Sequence, residues 1–185
     1  MNGREVTART RAQLTAGYAS TSVALKQADV DAYVAAPKVV PRPRTMKWRR
    51  AAIDLLRWDA AVEVEDVIRG RLWLDFNTAV GKYAFNLQLH GTPVYGWHFR
   101  PPGLPGKHRN SGCGDNFPAN VGYPHEQVWI EGRGYHCARP LTGLDNMTHA
   151  EHLHAFCDQV DIDFRSIYSV PAVGEQTALH LEGDA

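Results

Sequence analysis

The segment KHRNSGCGDN, residues 107–116, sets Lys107, His108, Arg109, Asn110 and Cys113 among turn-forming residues and offers a core almost nothing to bury. His125 opens the next apolar stretch, HEQVWI, and His136 lies in the one after it, YHCA. An imidazole titrates near neutrality, so two of them can divide the work of taking and giving a proton. If His108 and His125 converge, one deprotonates a 2′-hydroxyl of RNA and the other protonates the departing 5′-oxygen. Lys107 and Arg109 would hold the phosphate and stabilise an anionic phosphorane. Asn110 and His136 would line the same substrate site, and Trp129 and Tyr135 would offer faces on which a base stacks. This is metal-independent RNA cleavage, and it calls for no cofactor.

Other chemistries fit these residues less well. A zinc site would draw on His108, Cys113, His125, His136 and Cys137. None of these has C-x-x-C or H-x-x-x-H spacing, and adjacent His136 and Cys137 on a strand point to opposite faces. Cys113, between glycines, has the setting of a nucleophile beside His108, but no third group is evident to orient the pair. Cys137 and Cys157 read as small buried hydrophobes. His149 and His152, three apart, share a helix face and read as surface residues. GKHRNSG and GCGDN are followed by turn residues rather than a helix, which disfavours a nucleotide-dependent enzyme. Asp54, Glu63, Glu65, Asp66 and Asp75 alternate along strands, the pattern of a solvated sheet face.

The elements that must position these residues follow from periodicity. Residues 1–20 read as a weak helix or a tail. SVALKQADVDAYVAAPK places Val23, Val30, Tyr33 and Val34 near one helical face, with Asp29 able to cap a second short helix and Pro37 as the stop. Pro41 and Pro43 then make an extended basic connector. Period two begins in MKWRRAAIDLL and continues in VEVEDVIRGRLWLDF, where Gly70 marks a bulge or turn. In KYAFNLQL, Tyr83, Phe85, Leu87 and Leu89 point one way and Lys82, Asn86 and Gln88 the other. Gly91 and Pro93 turn the chain into VYGWHF, so short connections predict an antiparallel meander. Residues 100–124 form a long aperiodic loop of the kind that carries function. HEQVWI and YHCA follow, with Val128 and Ile130 expected in the core and His125 outward or toward the loop. A helix over Thr148–Val160 closes the fold, with a Thr148/Glu151 capping box and a buried stripe of Leu153, Phe156 and Val160. The prediction is α+β: a curved antiparallel sheet, a C-terminal helix packed on one face, and a short helical N-terminal arm. The arm and connector span 1–43, the core domain 44–165 and a C-terminal tail 166–185.

Composition sets outer bounds. At 185 residues, 44% hydrophobic and 22% charged, the chain suits one ordinary core. Lys+Arg and Asp+Glu balance, so no basic field covers the whole surface. The stretch KVVPRPRTMKWRR is basic without an acid and is the one segment that could meet phosphate by charge alone. No apolar run reaches membrane-spanning length and the first residues lack a signal pattern, so no membrane role is expected. Three widely spaced cysteines do not suggest a disulfide framework, and a reducing cytoplasm is the expected setting.

The order LKQADVDAYVAAPK, a meander, HRN, a turn-rich gap, PHEQVWIEGRG, ARPL and a helix bearing HAFCDQVDI resembles a family of uncharacterised small proteins common in bacterial and prophage genomes. More loosely it is similar to the TumE-type toxins of toxin-antitoxin loci. The resemblance spans roughly residues 25–163 and implies that His108 and Asn110 match the family's loop, with His125 and Trp129 in its next strand. The clustering of these residue types around one long loop leads to the expectation of a toxin-like or phage-defence-associated protein acting on RNA, with RNA or a protein such as a cognate antitoxin as partner. The alternative is a non-catalytic binding protein, a phage-encoded inhibitor or accessory subunit. That reading needs Trp97, Phe99 and Arg100 of GWHFRPPGLPG exposed. A DNA binder using residues 38–50 lacks a helix-turn-helix pattern.

Overall fold

The computed structural model describes residues 24–41 and 45–171. The expectations for residues 1–20 and Val23, for part of the connector, and for most of the 166–185 tail lie outside the described residues. The fold is α+β. An antiparallel run joins β3 (Leu55–Val64), β4 (Val67–Asn77), β5 (Tyr83–Leu89), β6 (Thr92–Phe99), β9 (His125–Ile130) and β10 (Gly134–Pro140) in that spatial order. Beyond β3 lie β1 (Lys38–Val40) and then β11 (Ile162–Phe164), paired in parallel, while β2 (Arg49–Ala52) pairs with the start of β3. The meander therefore carries one parallel pair at its far edge. β7 (His108–Arg109) and β8 (Asn120–Val121) form a separate two-stranded ladder inside the long loop.

The turn between β3 and β4 falls at Glu65 and Asp66, both with positive φ, a requirement the backbone of a two-residue hairpin imposes. Period-two reading ran straight through it, because Glu-Asp carries none of the Asn-Gly signal. The bulge expected near Gly70 is present, with the register shifting between Val62 and Glu63.

Strand parity divides the sheet into two faces. Leu72, Leu74 and Phe76 of β4 register against Leu87, Phe85 and Tyr83 of β5, which register against Tyr95, Trp97 and Phe99 of β6. This aromatic face is covered by α2 (His149–Gln159), whose Leu153 and Phe156, with Val160 just beyond, are fully buried. Phe156 meets Phe85, Tyr95 and Trp97 at centroid distances of 5.6–6.0 Å. The Thr148/Glu151 capping box forms as its spacing demands. His149 and His152 are not surface residues. They turn into the same aromatic face, where Tyr83 donates to His152 Nδ1 at 2.7 Å and His152 Nε2 donates to the Leu144 carbonyl. Trp97 and Phe99, which the docking reading needs exposed, are each only 4% exposed.

α1 (Gln27–Ala35) lies against β6 and β9 and buries Val30 and Tyr33. Asp29 does not cap it, since it sits within the first turn. Instead the Glu131 carboxylate of the β9–β10 turn accepts from the Gln27 amide at 2.9 Å, and the Gln27 side chain accepts from the Glu131 amide at 3.0 Å. At the other end Lys38, 2% exposed, donates its ammonium to the carbonyls of Tyr33, Val34 and Ala36. Those are the carbonyls a helix leaves unpaired at its C-terminus. Part of the basic segment expected to face phosphate is thus a buried helix cap. Among the described residues, no helix is long and apolar enough to cross a membrane.

Candidate functional site

The second face of the sheet is polar, and its register builds the site. Ala84 of β5 pairs with His98 of β6, which pairs with His125 of β9. Two residues along, Asn86 pairs with Gly96, which pairs with Gln127. Partners in an antiparallel ladder share a face, so His98, His125, Asn86 and Gln127 all project to one side. His98 and His125 stack, with centroids 5.3 Å apart and planes 13° from parallel. On β9 the buried residues are His125, Gln127 and Trp129, while Val128 and Ile130 are only half-buried, the reverse of the expected facing. Both faces are covered here, so alternation of hydrophobicity does not identify the inner one.

The loop over residues 100–124 brings His108 onto this face. Its ring lies 5.1 Å from that of His125, so the convergence anticipated from sequence is met in distance. Gln127 donates to His108 Nδ1 at 3.0 Å, and His108 Nε2 donates to the His136 carbonyl at 2.5 Å. His125 Nδ1 donates to the Gly122 carbonyl at 2.8 Å, which leaves its Nε2 as the atom with a free lone pair. Tyr135 donates to Asn86 Oδ1 at 3.0 Å and accepts from His98 Nε2 at 3.2 Å. Gly96 makes this possible. A Cβ there would collide with the Tyr135 hydroxyl and stand 2.7 Å from the Phe85 carbonyl oxygen.

Burial sets the electrostatics. Loss of water pushes His98 down to about 3, helped by repulsion from His125, Lys82 and His108. Burial likewise pushes His125 down to about 4, against the Gly122 hydrogen bond and with repulsion from His108, Lys82 and Arg100. The expectation that both imidazoles of a pair work near neutrality therefore fails for His125, which is neutral at pH 7. Tyr135 is pushed above its ordinary range by burial. Tyr123 covers His125 at 4.5 Å, and its ring carries two cations, Arg100 at 4.6 Å and Lys82 at 5.7 Å.

The remaining sequence-derived residues have mixed fates. Lys107 and Arg109 are exposed at the rim. Asn110 is buried and grips the edge of β10. It accepts from the Ala138 amide and donates to the Ala138 carbonyl, each at 2.7 Å, and also donates to the Pro118 carbonyl. That is a fastening role, because its amide stands where a neighbouring strand's peptide would be. Trp129 is buried, while Tyr135 is half-buried with its hydroxyl committed within the cluster. His136 sits on a β-bulge, where Tyr135 pairs with Trp129 but Cys137 pairs with Val128, and its Nε2 donates to the Ser111 carbonyl at 3.2 Å. Cys113 and Cys137, expected free, form a disulfide, while Cys157 is free and buried. Sequence reasoning missed His98, Lys82 and Tyr123 and read Arg100 only as a docking residue. His98 was detectable only by registering VYGWHF against HEQVWI.

Among the described residues, one group has the donor set of a metal site: Cys113, His136 and Cys137, with ligand atoms all within 4.8 Å of one another. No family model, curated protein or solved structure matches the chain.

Proposed function

We propose that the protein is a toxin-like or phage-defence-associated endoribonuclease of the cytoplasm, working without a metal and restrained by a protein partner such as a cognate antitoxin. The observation that carries this reading is the His108–His125 pair, 5.1 Å between centroids and flanked by two cations on Tyr123. His125, neutral and with Nε2 unprotonated, is the base that takes the 2′-hydroxyl proton. The 2′-oxygen attacks phosphorus, and His108 gives a proton to the departing 5′-oxygen, leaving a 2′,3′-cyclic phosphate and a 5′-hydroxyl. His108 can carry the second proton without losing its support. Rotation of the Gln127 amide turns its oxygen toward Nδ1 while the His136 carbonyl still faces Nε2. Lys82 and Arg100 stabilise the phosphorane, and Lys107 and Arg109 meet the flanking phosphates.

His125 is 1% exposed. Tyr123 lies over the His125 ring at 4.5 Å, so substrate entry requires the Tyr123 side chain to move off it while His108 stays in place. The rival docking reading loses its anchors, since Trp97 and Phe99 are core residues.

The test is cleavage of a fluorescent single-stranded RNA by purified protein in the presence of a chelator, with product ends identified by mass spectrometry. His108→Ala and His125→Ala should each slow cleavage by roughly 10²–10⁴-fold, and the products should end in cyclic phosphate. With His125 as base, kcat/KM should hold its basic-form activity down to about pH 4. Undiminished cleavage in the double variant, or 3′-hydroxyl products, would overturn the assignment.

A further inference from the structure

We propose that Cys113, His136 and Cys137 form a thiolate–imidazole site for zinc or a similar soft divalent cation when the Cys113–Cys137 bond is reduced. Cation and disulfide are then alternative occupants of the same corner of the molecule. The inference does not rest on the ribonuclease reading.

The bulge is what allows it. In a regular strand His136 and Cys137 would diverge to opposite faces. Here His136 is the extra residue between Tyr135 and Cys137, and the alternation is broken at that point. The two sulfurs and a ring nitrogen consequently lie within 4.8 Å of one another. Tetrahedral zinc sets its ligands roughly 3.5 Å apart, so the set needs only separation of the two sulfurs once the bond between them is broken. Cys113 stands between Gly112 and Gly114, with φ of 74° and 84°, in a loop whose backbone can accept that shift. The imidazole is already oriented. His136 donates Nε2–H to the Ser111 carbonyl, which leaves Nδ1 with its lone pair, the arrangement that positions metal-binding histidines. Cys113 and His136 are half-buried and Cys137 is fully buried, so the site has one open side. Three protein ligands would leave a fourth position for water, the mark of a labile rather than a closed structural site.

The chemistry balances with a thiol reductant and a peroxide oxidant. A dithiol transfers two electrons and two protons to the disulfide, giving two protein thiols and its own disulfide. Cation binding then displaces the two thiol protons. In reverse, hydrogen peroxide takes two electrons from the thiolates, the sulfur–sulfur bond forms, the cation leaves, and two protons complete two waters. The switch reaches the histidine cluster directly, because the His136 carbonyl accepts from His108.

The experiment uses the full chain, reduced with a phosphine, desalted without oxygen and titrated with cobalt(II) and zinc(II). About one equivalent of cobalt should bind, with a thiolate charge-transfer band and the strong visible bands of a tetrahedral ion, and zinc should displace it. His136→Ala leaves both cysteines in place and should bind cobalt about tenfold more weakly or worse, with weakened visible bands. Circular dichroism establishes that this variant keeps its fold, and Cys113→Ser, which retains the Cys137 thiolate, should lose a large part of the charge-transfer intensity. Peroxide should release the cation from the wild type in proportion to disulfide formed. A reduced, folded wild type that binds no cobalt, or cobalt spectra unchanged in both variants, would overturn the proposal.

Discussion

His98 and His125 present flat ring faces to each other across two strands, where little water is left to stabilise an imidazolium. Their folded values, about 3 and about 4, lie below the ordinary 6.5. The unfolded chain therefore binds protons first as pH falls. The stability this confers is full above about pH 6.5 and is lost progressively as pH drops toward 4 and then 3. Urea unfolding followed from pH 7 to pH 4 should show a loss on the order of 3 kcal/mol from His125 alone. A His125→Gln variant should flatten that slope, and an unchanged slope would refute the assignment. Gly96 is a second residue on which the cluster depends. Gly96→Ala would set a methyl group against the Tyr135 hydroxyl and 2.7 Å from the Phe85 carbonyl oxygen, which belongs to the backbone of the central strand β5. We expect a cost of roughly 1–3 kcal/mol in urea unfolding, with uncoupling of Tyr135 from Asn86 and His98. A variant as stable as wild type would show that the cluster is looser than described.

At the scale of elements, the loop over 100–124 is held to β10 by side chains rather than by a strand ladder. Asn110 grips Ala138 on both its amide and carbonyl, His108 and His136 each bond a backbone carbonyl on the opposite segment, and Cys113 bonds Cys137. Asn110→Ala would leave the buried Ala138 amide and carbonyl without partners, a loss of about 2–4 kcal/mol on the usual scale for unsatisfied buried groups. Limited proteolysis should then cut within 107–121 well before the rest of the chain. Protection equal to wild type would locate the fastening elsewhere. The residue content of this loop was legible in the sequence, including the pairing of His108 with His125. Its attachment was not, because a buried asparagine and a bulge that brings Cys137 within bonding reach of Cys113 have no periodic signature. The same limit reversed β9. HEQVWI alternates cleanly, but with the helices packed on one side and the loop on the other, polar residues can be the more buried set.

For the whole molecule, short turns and aromatic alternation identified the α+β class, the central strands and the closing helix, since each rests on local pattern. Long-range pairings were invisible to that reasoning. Lys38 reads as part of a basic connector, yet its strand β1 sits between β3 and β11, with Lys38 registered against Ile162. That pairing has a consequence for biosynthesis. A ribosome delivers β1 early and β11 only after nearly all of the described fold has emerged. Until then the nascent sheet keeps an open edge at β1, able to recruit another chain. The last seam of the fold therefore closes at or after the end of translation of this region, and chaperone protection of that edge would matter most in the same interval.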